Sequence, residues 1–181
     1  MTRTPNLIRP ESTLLLIIDI QERLIPQIHE ADRAEAMSRR MIEAVHIIGV
    51  PVLVTERYPK SLGPTVPGVA EAFGDAPVLE KATFSCLSTP EISGAIRATE
   101  RETLVLVGIE AHVCVLQTAL EALDRGYVVH VVADAVSWRH PADADLGLQR
   151  MRRAGAQVMS SEMTIFELVH GARSPHFRTV D

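Results

Sequence analysis

Continuous runs of aliphatic residues alternate with segments of helical periodicity along this chain. Runs of this kind are typical of strands that are buried on both faces, as in a parallel sheet covered by helices. Four long runs and two shorter ones are predicted to be strands. They are Thr13–Asp19, Val52–Glu56, Val78–Lys81, Thr103–Ile109, Tyr127–Asp134 and Ala156–Ser160.

Apolar residues at steps of three and four predict helices between these strands. The first helix buries Ala34, Met37, Met41, Ala44, Val45 and Ile48, and the helix before Gly126 buries Val113, Leu116, Leu120 and Leu123. Another is expected to start at Ser88-Thr89-Pro90-Glu91, where a hydroxyl cap precedes proline, and to end near Arg101. Two more are predicted at Ala142–Ala154 and Glu162–His170. The segment Arg57–Gly74 is rich in Pro and Gly and predicts a long loop that could hold a short helix.

Strands separated by helices of this length imply right-handed crossovers and an α/β fold with a mostly parallel sheet. A chain of 181 residues without repeats or a linker is expected to form a single domain, residues 1–181. In such folds the functional groups gather beyond the carboxyl ends of the strands. Reactive side chains at those ends are therefore the candidates for a site.

Composition and charge exclude several classes of function. The net charge is −5 and no basic run is present, so we expect no nucleic-acid partner. The early apolar run Leu14–Ile18 is too short to cross a membrane, and no membrane partner is expected. With two cysteines and no secretory signal, the protein is predicted to be cytoplasmic with reduced thiols.

Two charged residues lie at predicted strand ends. Asp19 follows five aliphatic residues, and it could either cap the next segment or act as a general base in a partly dry pocket. Lys81 ends the short third strand. It could be a solvated surface residue, or it could hold Asp19 ionised and stabilise a thiolate.

Cys114 lies where the strand Thr103–Ile109 gives way to a helix. Unpaired N–H groups and the helix dipole at such a place predict a thiol pKa lowered to roughly 3.5–7.5. The alternative is that Cys114 is a buried apolar filler, since free cysteine is among the most buried residue types. Cys86 precedes a capped helix and is interpreted as structural. His112 is two residues from Cys114, so a helix would direct the two side chains to different faces.

Three segments carry a specific resemblance. "LLLIIDIQERL" contains Asp19, "EKATFSCL" contains Lys81, and "GIEAHVCVLQTALEAL" contains Cys114. Together they resemble the isochorismatase-like cysteine hydrolase family, over about Leu14 to Leu168. "ERYPKSLGPTVPG" and "VVADAVSWR" look like its uncharacterised isochorismatase-domain branch.

The resemblance implies a three-layer α/β/α, Rossmann-like fold with a six-stranded sheet. It also implies a catalytic triad in which Cys114 is the nucleophile, Asp19 accepts its proton and Lys81 polarises or positions both. The family has a non-proline cis peptide, which here falls at Ile109–Glu110. That bond would direct the backbone N–H groups of Glu110 and Cys114 at an oxyanion.

Two departures limit what the resemblance implies. Nicotinamidases of this family carry an Asp-x-His metal cluster after the second strand, whereas this chain reads "VTERYPK", so we expect no metal and no other cofactor. Glu56, Arg57 and Tyr58 after the second strand, with Trp138 after the fifth, are the candidates for substrate binding.

The sequence thus predicts a hydrolase of small amides or related acyl compounds that works through a thioester on Cys114. One alternative is hydrolysis of a non-amide bond, as isochorismatases perform. Another is a binding or scaffold protein with little turnover. The resemblance, together with apolar residues of the last predicted helix (Met163, Phe166 and Val169), predicts a homo-oligomer.

Overall fold

The strands lie close to where the aliphatic runs predict them. The computed structural model describes residues 7–180. The six strands are β1 Thr13–Ile18, β2 Val52–Arg57, β3 Val78–Lys81, β4 Thr103–Ile109, β5 Val128–Ser137 and β6 Gln157–Met159. They form one all-parallel sheet in the order β3-β2-β1-β4-β5-β6. The central strands β1 and β4 are buried along their whole length, which explains their uninterrupted aliphatic sequences.

Helices cover both faces of this sheet. They are α1 Ala31–Ile48, α2 Pro59–Leu62, α3 Pro67–Phe73, α4 Pro90–Ala98, α5 Leu116–Asp124, α6 Pro141–Ala154, α7 Ser161–Val169 and α8 Phe177–Val180. One core cluster joins the sheet to α1, α3 and α7. The other joins the opposite face to α4, α5 and α6. The predicted three-layer α/β/α architecture is confirmed.

The segment Arg57–Gly74 differs from its prediction as a loop with at most one short helix. It contains two helices, α2 and α3, and each has proline in its first turn. Proline fits that position because its fixed φ is helical and its missing N–H is not needed there. Helices of four and seven residues are too short to show a hydrophobic period, which is why composition alone predicted a loop.

Strand β5 is longer than predicted. It continues past Asp134, which looked like the end of a buried run, to Ser137. The Asp134 carboxylate accepts hydrogen bonds from the Ser161 backbone N–H, at 2.8 Å, and from its hydroxyl, at 2.7 Å. Asp134 can therefore lie inside the strand, because the first residue of α7 donates the hydrogen bonds that its carboxylate needs. None of the helices within residues 7–180 is long and apolar enough to cross a bilayer.

Gly108 allows β1 and β4 to approach closely just before both strands end. Its φ of 121° lies in the region that favours glycine, and a Cβ atom here would overlap the carbonyl of Ile18. Ile18 immediately precedes Asp19, and Gly108 lies six residues before Cys114. The close approach therefore brings the segments that carry these two side chains together.

Candidate active site

Asp19 occupies the carboxyl end of the central strand β1. Its side chain is fully buried, and its φ of 53° places a non-glycine residue in the left-handed region. Its carboxylate accepts a hydrogen bond from the Thr55 hydroxyl at 2.9 Å, and its backbone N–H donates to the Thr55 carbonyl at 3.1 Å. The alternative in which Asp19 caps a helix is wrong, because the next helical turn begins at Ile25 and has Leu24 at its cap position.

Lys81 reaches this carboxylate from β3, two strands away in the sheet. Its Nζ atom lies 2.6 Å from Asp19 Oδ2, and neither side chain is exposed. The ammonium also donates to the carbonyls of Thr83, at 3.1 Å, and Phe84, at 3.0 Å. Three acceptors thus surround one buried cation, an arrangement that compensates for the loss of its hydration. The solvated-surface alternative for Lys81 is wrong.

Cys114 lies between β4 and α5, on a π-helical turn formed by Ala111–Val115. Wide turns of this kind are rare and are often found at functional sites. The backbone N–H groups of Val113 and Val115 both donate to the Glu110 carbonyl at 3.1 Å. The thiol is buried, with 3 % of the residue exposed, and the charge of the Asp19 carboxylate acts on it.

The pKa of the Cys114 thiol shifts in the direction opposite to the one expected. Burial raises it to about 12, the Asp19 charge adds to the rise, and Lys81 only partly opposes it. The expectation of a lowered pKa was wrong because the sequence showed the start of a helix but not the burial or the carboxylate. Cys114 is therefore a neutral thiol beside a base, not a preformed thiolate.

The pKa values of Asp19 and Lys81 fit that description. Burial raises the pKa of Asp19 above its ordinary value, against the opposing charge of Lys81, and so makes the carboxylate a stronger base. Burial alone would lower the pKa of Lys81, but the charge of Asp19 and the hydrogen bond to it raise the pKa overall. Lys81 consequently stays protonated beside Asp19.

Cys86 lies nearer to this site than its interpretation as a structural loop residue suggested. It is fully buried, and its Sγ atom is 3.7 Å from the Thr55 hydroxyl, the same hydroxyl that donates to Asp19. Its backbone N–H donates to Thr118 Oγ1 at 3.0 Å. Thr55 thus separates Cys86 from the carboxylate.

Glu110 connects the ends of β4 and β5. The peptide bond between Ile109 and Glu110 is cis. The Glu110 carboxylate is buried and lies 2.8 Å and 3.1 Å from Arg139 Nε through its two oxygens. His112 Nε2 is 3.5 Å from the same carboxylate, so this histidine faces Glu110 and does not form a pair with Cys114.

The four residues predicted to bind substrate have different surroundings. The Glu56 carboxylate accepts bonds from the Thr65 N–H and hydroxyl, at 2.7 Å and 2.8 Å. Tyr58 is 54 % exposed and borders, with Lys81, a groove of about 520 Å³.

The Trp138 ring lies against His29 and under the Arg33 guanidinium. Arg57 lies over the ring of Phe84, and its charge acts on Cys114.

Sequence reasoning missed three residues that hold the site together: Gln21, Thr55 and Phe84. Gln21 is fully buried and makes hydrogen bonds to both the N–H and the carbonyl of Arg57. Thr55 was detectable, because it is a hydroxyl within an aliphatic run one residue before a predicted strand end. Nothing in the sequence marked the backbone of Phe84 as a ligand for Lys81. Across residues 7–180, no three His, Cys, Asp or Glu side chains are grouped so as to hold a metal ion.

Comparison with known proteins identifies the family. Residues 13–163 match the model of the isochorismatase domain. The mouse isochorismatase domain-containing protein 2A is 39 % identical over 96 % of this chain and 82 % of its own length. The secreted isochorismatase effector Isc1 of Phytophthora sojae is 38 % identical over 94 % of this chain and 83 % of its own.

Solved structures agree with this assignment. A structure described as the MAR1 ribonuclease of Caenorhabditis elegans has a TM-score of 0.92 and 40 % identity, covering 97 % of this chain and 90 % of its own. YcaC of Pseudomonas aeruginosa, described with hexane-2,5-diol and covalent acrylamide, has a TM-score of 0.92 and 25 % identity, covering 99 % and 92 %. The chain belongs to the isochorismatase-domain family and is an isochorismatase-family hydrolase.

Proposed function

We propose that this protein hydrolyses small amides or related acyl compounds through a thioester on Cys114. The observation that carries the proposal is one buried carboxylate, Asp19, that contacts the ammonium of Lys81 and acts on the thiol of Cys114. A nucleophile, a base and a group that orients the base are the parts that covalent catalysis requires. They come from β1, β3 and the turn after β4, so the sheet itself fixes their positions.

In the first half of the reaction, the Cys114 sulfur attacks the carbonyl carbon while Asp19 accepts the thiol proton. The carbonyl oxygen becomes an oxyanion, to which the backbone N–H groups of Glu110 and Cys114 would donate. The protonated Asp19 then gives its proton to the leaving nitrogen, the carbon–nitrogen bond breaks, and an acyl group remains on sulfur. Because the thiol pKa is raised to about 12, the proton must leave during the attack and not before it.

In the second half, water attacks the thioester carbonyl and Asp19 accepts a proton from it. The carbon–sulfur bond breaks, the carboxylic acid leaves, and Asp19 returns the proton to the sulfur. Lys81 stays protonated throughout and holds Asp19 in place through the 2.6 Å contact. The Thr83 and Phe84 carbonyls keep the ammonium from turning away.

The description of YcaC with covalent acrylamide supports a reactive group in this fold. Acrylamide is a small amide whose double bond alkylates thiols, so a pocket that admits it also fits the proposed class of substrate. The names of the mouse and Phytophthora relatives keep the isochorismatase reaction as a second candidate. That reaction cleaves a vinyl ether and would not need the Cys114 sulfur.

Ammonia release from a library of small amides tests the proposal, with Cys114→Ala as the inactive variant and Cys86→Ala as its matched control. We expect a covalent acyl adduct on the peptide that contains Cys114 when the reaction is stopped with acid. A Cys114→Ala protein that still hydrolyses its substrate would support the isochorismatase-type reaction instead. The Caenorhabditis relative is described as a ribonuclease, so an RNA oligonucleotide belongs in the same screen. With a net charge of −5, we expect no cleavage of it.

We also propose that the protein is a homo-oligomer in the cytoplasm. Leu7 and Met163 are each more than half exposed and border an apolar groove with Phe166, a surface that a second copy could cover. Light scattering at micromolar concentration tests the assembly, and a monomeric mass would contradict it. Cell fractionation tests the location, which matters because the Phytophthora relative is described as secreted.

A further inference from the structure

Arg57 is held at the site by its backbone. It is the last residue of β2, next to the end of β1 in the sheet. The fully buried Gln21 side chain accepts from the Arg57 N–H at 2.8 Å and donates to the Arg57 carbonyl at 3.0 Å. A second bond joins Gln21 Nε2 to the Gly63 carbonyl at 2.7 Å. The position of Arg57 is therefore fixed independently of what its side chain contacts.

The guanidinium of Arg57 has no polar partner among residues 7–180. Its carbon lies 5.6 Å from the centre of the Phe84 ring, and its Nε atom is buried without a hydrogen bond. Buried N–H groups in proteins nearly always find an acceptor, so an unpaired one at a candidate site indicates that a ligand supplies it. The Phe84 ring contributes a cation–π contact but no hydrogen-bond acceptor for the guanidinium N–H groups.

The other charged groups around Cys114 already have hydrogen-bond or ion-pair partners. Asp19 is bound by Lys81, and Glu110 is bound by Arg139. Glu56, the neighbour of Arg57 in β2, points to the opposite side of the strand and is occupied by Thr65. Of the influences on the pKa of Cys114, where burial is the largest, the charge of Arg57 is one that lowers it, so the guanidinium lies within electrostatic reach of the sulfur.

Two further buried atoms lack a hydrogen bond in the described part of the chain. They are Trp138 Nε1, beyond β5, and His112 Nδ1, beyond β4. Arg57 ends β2, whereas His112 and Trp138 follow β4 and β5, and these strands all end at the same edge of the sheet. Arginine and tryptophan offer only donors at these atoms. A ligand at this edge is therefore expected to be rich in acceptors.

We propose that Arg57 binds a carboxylate of the substrate, so that the substrate is a small amide or acyl compound carrying a second, anionic carboxyl group. This assignment rests on the proposed function, because it places that carboxylate beside the bond that Cys114 attacks. The planar guanidinium can bind both oxygens of a carboxylate, and it has no polar partner of its own among residues 7–180. Neutral amides of the same size would lack this contact.

Two thiol reagents of almost equal shape test the assignment. Iodoacetate carries a carboxylate where iodoacetamide carries a neutral amide. We expect Cys114 in the Cys86→Ala background to favour iodoacetate, relative to free cysteine, by at least about tenfold at low ionic strength. Arg57→Gln should abolish that preference, and added salt should weaken it. Lys60→Gln, which removes an exposed cation three residues away, is the matched control and should leave the preference unchanged.

Equal preference in the parent and in Arg57→Gln would overturn the assignment of Arg57 and leave the nucleophile intact. If neither reagent modifies Cys114, the proposal that Cys114 is the nucleophile is wrong. The carboxylate site is then tested by ligand binding, which does not need a reactive thiol. Propionate and propionamide at matched ionic strength are compared by melting temperature. Stabilisation by propionate alone, lost in Arg57→Gln, supports the site. Equal effects of the two compounds, or no effect of either, contradict it.

Discussion

Cys86 and Cys114 provide a comparison within one chain, since both are buried, free thiols near the same carboxylate. Burial, followed by the charge of Asp19, raises the pKa of Cys86 to about 11 and that of Cys114 to about 12. They differ in what stands between sulfur and base. Cys86 has the Thr55 hydroxyl in that place, whereas no hydrogen bond among residues 7–180 puts a hydroxyl between Asp19 and Cys114, whose pKa the carboxylate raises by its charge.

The comparison shows that neither burial nor the resting pKa distinguishes the proposed nucleophile from the other thiol. Both thiols are buried, and burial raises the pKa of each well above its ordinary value. What separates the two is whether a proton acceptor can take the thiol proton during attack, and whether the backbone around the sulfur is a turn or a packed loop. Cys114 lies on a π-helical turn beyond the end of β4, whereas the backbone N–H of Cys86 is bonded to the Thr118 hydroxyl.

The largest expected difference comes from deleting each sulfur. Cys114→Ala should lower hydrolysis by at least about 10⁴-fold, because the covalent intermediate cannot form. Cys86→Ala should keep its activity and lose about 1 kcal/mol of unfolding free energy from the small cavity. Ammonia release and urea denaturation measure the two effects. Equal losses of activity in both variants would contradict the assignment of Cys114.

Replacing the proposed base, Asp19, should lower the rate of acylation and the pKa of Cys114. Asp19→Asn keeps size and hydrogen bonding but cannot accept a proton, so acylation should fall by about 10²–10⁴-fold. The pKa of Cys114 should fall at the same time, because a negative charge that raises it is gone while Lys81 remains. Single-turnover kinetics and thiolate absorbance measure these changes. Near-normal acylation would remove Asp19 from the mechanism.

Alkaline pH should destabilise the protein through both thiols. Their folded pKa values, about 11 and about 12, lie above the unfolded value. The stability they confer is therefore complete below the unfolded pKa, near about 8.5, and is lost as the pH rises toward the folded values. Near pH 10, each thiol should lower the free energy of unfolding by about 2 kcal/mol relative to its value at neutral pH. Replacing either cysteine with alanine should remove its share of this slope, and an unchanged slope would show that the thiols do not cause it.

The smallest expected effect on the reaction rate comes from replacing Thr55, whose hydroxyl contacts both the Asp19 carboxylate and the Cys86 sulfur. Thr55→Val preserves the shape but removes a hydrogen bond that lowers the pKa of Asp19. The acid limb of the pH–rate profile should move to higher pH, and the rate at neutral pH should fall by about tenfold or less. Thr118→Val, which removes the bond to the Cys86 N–H, is the control and should leave the profile in place. A shift in the control of the same size would contradict a specific role for Thr55.

The parts of the fold that were predictable are those in which burial imposes a pattern. Strand β4, Thr103–Ile109, is buried on both faces, and its aliphatic run predicted both the first and the last residue of the strand correctly. Short proline-started helices within Arg57–Gly74 have no such pattern and were missed. The predicted positions of Asp19 and Lys81 at strand ends agree with the structure, because parallel strands all end at one edge.

The electrostatics of the site could not be predicted in the same way. The start of a helix is visible in the sequence of Cys114, but its burial and the orientation of a carboxylate 95 positions earlier are not. These two properties set the sign of its pKa shift. The contacts of Thr55, Gln21 and the Phe84 carbonyl depend on tertiary packing, so residue types alone did not reveal them.

The order of strands in the sheet also determines when the site can exist during folding. Asp19 and Lys81 are 62 positions apart and lie on strands separated by β2, while the turn with Cys114 follows β4 on the other side of β1. Contacts at such separations form only after long loops have closed. Base, ammonium and thiol therefore meet only once four strands have assembled. Until then the nascent chain carries two ordinary cysteines and no hydrolytic activity.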